Sequence, residues 1–382
     1  MKKFFDILKN EFKTFINDHG VILIMVVGVV VYSLFYAVPY ANEVVKEAPI
    51  AVVDLDQTSF SREFVRNLDA TDYVKVVEKL PSLKEAQKKY YEGEISGFAI
   101  IPKDFQKDIY RGKQVDLSLY VDSAYLIIYK AIYTGVMQTT LETGARVEIG
   151  RLVKMGVPKK TALALKQPFQ FVQIPLYNPA GGYETYVYPV ILMMILHQTL
   201  IVALGMLQGT RNEKKIRYCK NDKEIPITLF ARTTFYVLLY FLYGAFIFLI
   251  CPALCRYPMC YNVLPLFVLY GLMLYAAAFF VQVISYGFRI REASLMVLVV
   301  TSLVFIFLPG IIWPKEAIPQ IVNVISMFIP VTPAIDGITK VNVQGATFYQ
   351  VLPDFLCLLF LCVLYFVLAI FVTKKLHKEY EK

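Results

Sequence analysis

Residues 185–210 read TYVYPVILMMILHQTLIVALGMLQGT, without a single Asp, Glu, Lys or Arg. An α-helix needs about 20 such residues to cross a bilayer core about 30 Å thick. The stretch predicts a membrane span, and others like it lie on both sides. Uncharged runs of 19 residues or more recur at 21–42, 233–255, 257–288, 293–314, 317–335 and 355–373. All but 317–335 read as spans, which makes six. The exception carries Pro319, Pro330 and Pro333 with Gln320 and Asn323. A lipid-facing helix there would leave backbone groups unbonded, so a short re-entrant or interfacial element is expected.

Composition excludes the other broad classes. Of 382 residues 57% are hydrophobic and 18% charged, against roughly 25% charged in soluble chains. With 28 Phe and 27 Tyr the chain is too aromatic for a disordered one. Six Cys are too sparse for a disulfide scaffold. Only 43–184 has ordinary soluble composition, with 19 Lys/Arg and 18 Asp/Glu in 142 residues. The expected fold class is an α-helical polytopic membrane protein of six transmembrane helices with an inserted α/β extracytoplasmic domain and a long helix. Its order is an amphipathic interfacial helix at 1–20, a first span at 21–42, the domain at 43–184, spans two to six within 185–373, and a tail at 374–382.

Lys and Arg near span ends set the orientation. Residues 1–20, the loop 211–226, the turn at 289–291 and the tail together carry sixteen of them; the opposite short loops carry only Arg256, Lys315 and Lys340. Both termini are therefore expected in the cytoplasm and 43–184 outside. Most of the +9 net charge then lies on a rim facing anionic lipid rather than on a nucleic-acid surface. The uncharged run at 21–42 is longer than a typical signal-peptide core and reads as a retained span.

Inside 43–184, strands are expected at Ile50–Asp54, Tyr73–Val77, Gly97–Ile101, Val115–Val121 and Phe169–Ile174. Helices are expected over Phe60–Leu68, from Ser82 to Glu92 and over Pro102–Arg111. Asp56, Thr58 and Ser59 are candidate caps for the first helix, which also explains Asp54 and Asp56 better than a metal does. From Ser123 to Met155 the pattern is helical for about 50 Å at 1.5 Å per residue. That stretch is a lever, a stalk, or two helices broken near Gly135 or Gly144. There is no phosphate-cradling Gly-x4-Gly-Lys-Ser/Thr loop, no His-Glu-x-x-His and no Gly-x-Ser-x-Gly. No catalysis, cofactor or metal is expected of this chain itself.

The layout resembles permease subunits of the ABC-2 family, in the group with a large external domain between the first two spans. The resemblance rests on Pro49–Asp56, on Glu85-Ala86 to Gly93, on Ile95–Phe105, on Tyr120–Ser123, on Tyr177-Asn178-Pro179, and on Pro309-Gly310 with Pro330–Pro333. It implies a dimeric exporter in a bacterial cytoplasmic (inner) membrane. The resemblance also implies a second permease copy or homologue, and a separate ATPase subunit that holds ATP and Mg. A periplasmic adaptor with an outer-membrane channel is a further candidate partner. The N-terminal helix and the loop after span two would contact the ATPase, although Gln208–Glu213 departs from the family's acidic version of that loop.

Candidate coupling residues are Lys9, Phe12 and Lys13 on the amphipathic helix and Glu213 and Arg217 in the loop. His197, Gln198, Gln282 and Ser285 are polar groups at membrane depth. They are candidates for a substrate path, with interhelical hydrogen bonding as the plainer reading. Arg232 is expected to snorkel at the start of span three. Cys255 and Cys260 are either bridged or free; Tyr257, Tyr261 and Trp313 read as interface anchors. The rival function is a non-transporting membrane protein whose external domain binds a ligand, phage or partner protein.

Overall fold

The computed structural model describes residues 2–37, 44–166, 174, 176–178, 182–219, 221–255, 262–310, 313 and 315–380. The chain forms two compact units, Met1–Glu43 with Pro175–Lys382, and Val44–Ile174. The first unit opens with α1 (Lys2–Ile16), whose Ile7, Leu8, Glu11 and Phe15 lie on one face and are buried or half-buried. The chain then bends by 87° into α2, residues 19–37. Asp18 makes the corner: its carboxylate accepts the Val21 N–H at 3.1 Å, capping the new helix. A π turn at Leu23–Gly28 interrupts α2.

The second unit is a layered α/β structure. Its elements are β1 (Ala48–Asp54), α3 (Ser59–Asp69), β2 (Val74–Leu80), α4 (Leu83–Tyr91), β3 (Gly97–Ile101), α5 (Phe105–Tyr110), β4 (Ser118–Val121), α6 (Leu126–Lys154) and α7 (Lys159–Lys166). The sheet order is β2-β1-β3-β4, with β1 parallel to both neighbours and β4 antiparallel to β3. Alternate residues of β1 enter opposite layers. Ile50 and Val52 join Phe64, Leu68 and Ile132 on one face, while Ala51 and Val53 join Ala86 and Phe98 on the other. Thr58 caps α3 in a reciprocal box with Ser61. Asp54 and Asp56 accept bonds from Gln57, Ser61, Thr58 and Gln106, so both are spent on the strand end. Among the described residues no cluster suits a metal.

The long helix is one unbroken α6 that runs through Gly135 and Gly144. Ala131, Ile132, Gly135, Val136, Thr139 and Thr143 bury one face of its N-terminal part, and Ile132 and Val136 pack into the sheet layer. Gly135 permits that approach, since a Cβ there would meet Tyr73 at 3.0 Å. The expected strand at Phe169–Ile174 lies outside the described residues, apart from Ile174, which is not in a strand.

The rest of the first unit is helical: α8 (Tyr183–Glu213), α9 (Asp222–Ala253), α10 (Val263–Ile284), α11 (Arg291–Phe307), α12 (Gln320–Met327), α13 (Val331–Gln344) and α14 (Leu352–Tyr380). Four of these, α8, α9, α10 and α14, are each long and apolar enough to cross a membrane; six spans result if the bent pairs α1–α2 and α12–α13 each count as one. The helix expected at 293–314 is shorter, since α11 has 17 residues. The element expected at 317–335 is longer, because α12 and α13 meet at 88° and α13 runs on to Gln344. Pro330 caps α13 and Pro333 lies in its first turn, where a missing N–H breaks no helical bond. Most of α13 is buried, so it belongs to the bundle's interior. Central α8 is covered nearly throughout, whereas α14 leaves most of its apolar surface exposed. Gly205 and Gly209 let α8 meet α11 closely; a Cβ on Gly209 would sit 2.9 Å from the Arg291 backbone.

Candidate functional site

The N-terminal helix carries a buried charge on its packed face. Glu11 is 1% exposed. Arg211 Nη2, from the end of α8, lies 2.9 Å from each of its oxygens, and Arg232 Nε, from α9, lies 2.7 Å from Oε1. The Tyr236 hydroxyl donates to Oε2 at 2.9 Å. Burial alone would raise the Glu11 pKa, but the two guanidinium charges and the phenol outweigh it and hold the carboxyl below its ordinary value. The Tyr218 ring covers both cations, 4.5 Å from Arg232 and 5.6 Å from Arg211.

A second carboxylate, at the corner between α1 and α2, adds a third partner. Asp18 receives Arg291 Nη1 at 2.5 Å and Nη2 at 2.7 Å, a two-pronged pair with the start of α11. The Arg291 bonds, opposed by burial and aided by the Val21 N–H, lower the Asp18 pKa. Glu11 and Asp18 thus tie the α1 corner to the end of α8, to α9 and to the start of α11.

The loop after α8 is fixed from the far end of the chain. The Tyr218 N–H donates to His377 Nε2 at 3.0 Å. That nitrogen must be the acceptor, so the ring proton sits on Nδ1, which faces Asp222 Oδ1 at 3.1 Å. The Tyr218 hydroxyl bonds Gln208. Tyr380 donates to Asn212 Oδ1 at 2.9 Å, while Asn212 donates to the Ser285 and Phe288 carbonyls at 2.9 and 2.7 Å. Helix α14 therefore braces the loop and the α10 end together.

Of the expected coupling residues, Lys9, Phe12, Lys13, Glu213 and Arg217 all lie exposed. Phe12 is 51% exposed and meets Phe235 edge-on. The structure places them around the buried cluster rather than in it. Arg232 does not snorkel: its side chain is 16% exposed and is held inward by Glu11. Glu11, Tyr218, Tyr236, Asp18 and His377 escaped the sequence reading. The available signal was Glu11 itself, an acid one helical turn from both Leu8 and Phe15 on the apolar face.

The four polar residues expected at membrane depth are buried or half-buried, and each leaves a polar atom without a partner among the described residues. Neither His197 nitrogen is bonded, and the ring lies edge-on to Phe305 at 6.0 Å. Gln198 donates to the Leu298 carbonyl at 2.6 Å, leaving its own oxygen unbonded. Gln282 reaches Thr233 at 3.5 Å, and the Ser285 hydroxyl has no partner. The first pair belongs to the α8–α11 seam and Gln282 to the α10–α9 seam, so the four do not form one constellation. Cys219, Cys357 and Cys362 are free thiols. The Cys255–Cys260 question and the anchors Tyr257 and Tyr261 lie outside the described residues, while Trp313 is exposed.

Comparison with known proteins adds one result. A family model described as "ABC-2 family transporter protein" matches residues 19–371. No curated protein and no solved structure matches the chain.

Proposed function

Because the chain belongs to the ABC-2 transporter family, we propose that it is the membrane-spanning permease subunit of an ATP-driven exporter. It pairs with a second permease copy or homologue and couples to a separate ATPase subunit, as family members usually do. Both termini then face the cytoplasm of a bacterial inner membrane and the α/β unit faces outward. ATP and Mg are held by the partner.

The observation that carries this reading is the fastening of α1 and its corner with α2, by Glu11 and Asp18, to three other helices. A helix held by buried charge moves with the helices it is pinned to. The exposed rim of Lys9, Phe12, Lys13, Glu213 and Arg217 meets the ATPase, and the buried face passes its displacement to α8, α9 and α11. His197 and Gln198, at the α8–α11 seam, then lie where that displacement opens a path, with Gln282 along the α10–α9 seam and Ser285 just past the end of α10.

The test is co-expression with the ATPase. Phe12→Asp alters a half-exposed position, so the chain should still insert and fold. Association with the ATPase, or stimulation of its turnover, should be lost. A Phe12→Asp variant that binds, stimulates and exports normally would reduce α1 to a lipid anchor. Cysteines placed in 44–166 should label from outside intact cells and those in 214–224 should not; the reverse pattern would overturn the orientation.

A further inference from the structure

The α/β unit exposes an aromatic cluster where α4, β3, β4 and the start of α6 converge. Tyr90 and Tyr91 end α4 with their rings edge-to-face at 5.5 Å. Tyr91 is 84% and Tyr125 66% exposed, large aromatic rings left mostly in water. Gly93, at φ 78°, turns the chain after α4 so that the rings stand over a cleft of about 430 Å³. Asp122 is the single charged residue lining that cleft. Its carboxylate also accepts the Ala124 N–H at 2.8 Å, which orients it. The Tyr90 phenol titrates above its ordinary range, through burial first and then the facing Asp122 carboxylate, with Tyr91 and Tyr125 adding to it. These four side chains line the same cleft.

A second cleft of about 360 Å³ adjoins it, sharing Tyr90 and Tyr91 and floored by Phe98, Leu119 and Tyr120. Phe98 and Tyr120 stack at 4.9 Å. No charged residue lines this second cleft. Neither cleft is lined by a Lys or Arg, although the surrounding sequence is rich in both.

We propose that these joined clefts form a binding site for an amphiphilic organic cation. Its ammonium group sits against Asp122 among the faces of Tyr90, Tyr91 and Tyr125, and its apolar body lies over Phe98 and Tyr120. The chemistry selects this class. A carboxylate only accepts hydrogen bonds or ionic contact, and aromatic faces attract cations. An anion would meet Asp122 with nothing to offset it. A neutral apolar ligand would desolvate that carboxylate and leave its charge without a counterion. The inference goes beyond the permease reading, and it stands or falls without the ATPase.

The experiment uses the full chain purified in lipid nanodiscs, with no ATPase present. Binding of benzyltrimethylammonium carrying a decyl chain is measured by equilibrium dialysis. Two isosteres serve as controls, one neutral with a tert-butyl head and one anionic with a sulfonate head. The cation should bind at least about tenfold more tightly than either, the loss of one well-placed charge contact. Asp122→Asn and Tyr91→Ala should each weaken the cation about tenfold and leave the neutral isostere unchanged. Tyr91 is so exposed that its removal leaves the fold intact, and a far-ultraviolet dichroism melt verifies this for both variants. Equal binding of cation and neutral probe, or unchanged cation binding by well-folded variants, overturns the proposal. So does failure of all three probes to bind, which would leave the rings to a protein partner.

Discussion

Glu11 and His197 are both sealed from water, yet they are accommodated in opposite ways. Glu11 has three partners on two other helices, and its charge is met by two guanidinium groups. His197 has no hydrogen-bond partner among the described residues and rests against Phe305. The difference follows from charge. An ionised carboxylate cannot be buried unless it is paired. A neutral imidazole can be left unbonded for a few kcal/mol. Where burial is forced by function, a fixed ion network marks a rigid joint, and an unbonded polar group marks a place free to take another contact.

Breaking the joint should have the largest effect. Glu11→Ala leaves Arg211 and Arg232 facing each other without their counterion and should cost about 3–5 kcal/mol, read as a lowered unfolding midpoint in mild detergent. The pH response sharpens the same point. The folded carboxyl titrates below its ordinary value, so its stabilisation is complete above the unfolded value and is lost as pH falls through the folded one. Stability should be flat from neutral to mildly acidic pH and then drop. In Glu11→Ala the drop should be shallower, with the remainder carried partly by Asp18. An unchanged acid limb would mean that Glu11 is not charged in the folded state.

Gly209→Ala comes next. It pushes α8 away from the Arg291 backbone and should cost about 1–3 kcal/mol through overpacking. Because Arg291 also holds Asp18, cross-linking between cysteines at positions 17 and 292 should weaken in this variant. His197→Leu should behave oppositely to Glu11→Ala and gain about 1 kcal/mol, since an unbonded polar group is replaced by carbon. A loss of stability there would show that the imidazole has a partner after all. The smallest effect belongs to the surface of the α/β unit. Glu63→Gln removes an exposed pair with Arg146 at 3.0 Å and should change stability by less than about 1 kcal/mol.

Legibility followed the range of the interaction. Strand β3 and the amphipathic α1 were written in local periodicity, and the Thr58 cap in a three-residue spacing. The helical run through 123–155 was visible, but its continuity through Gly135 was not. That depends on Tyr73 and Val74, which lie more than sixty positions earlier and pack against the glycine. Glu11 and Arg211 are separated by 200 positions, and no periodicity joins them. Arg232 was misread for the same reason: a cation at a helix end looks like a snorkelling side chain until its counterion is known. The proline-marked element after α11 was visible as an exception, yet the sequence rules for lipid-facing helices could not show that α13 is shielded by other helices.

The bond between Tyr218 and His377 has a consequence for biosynthesis. Its two residues are 159 positions apart, so the ribosome finishes the loop long before it makes the histidine that shapes it. At about 5–20 residues per second, the loop waits on the order of 8–30 s for its brace. If the loop docks an ATPase as proposed, a nascent chain presents an unfinished docking surface until α14 has emerged. Enforced by chain order alone, this would keep the ATPase from engaging half-made channels.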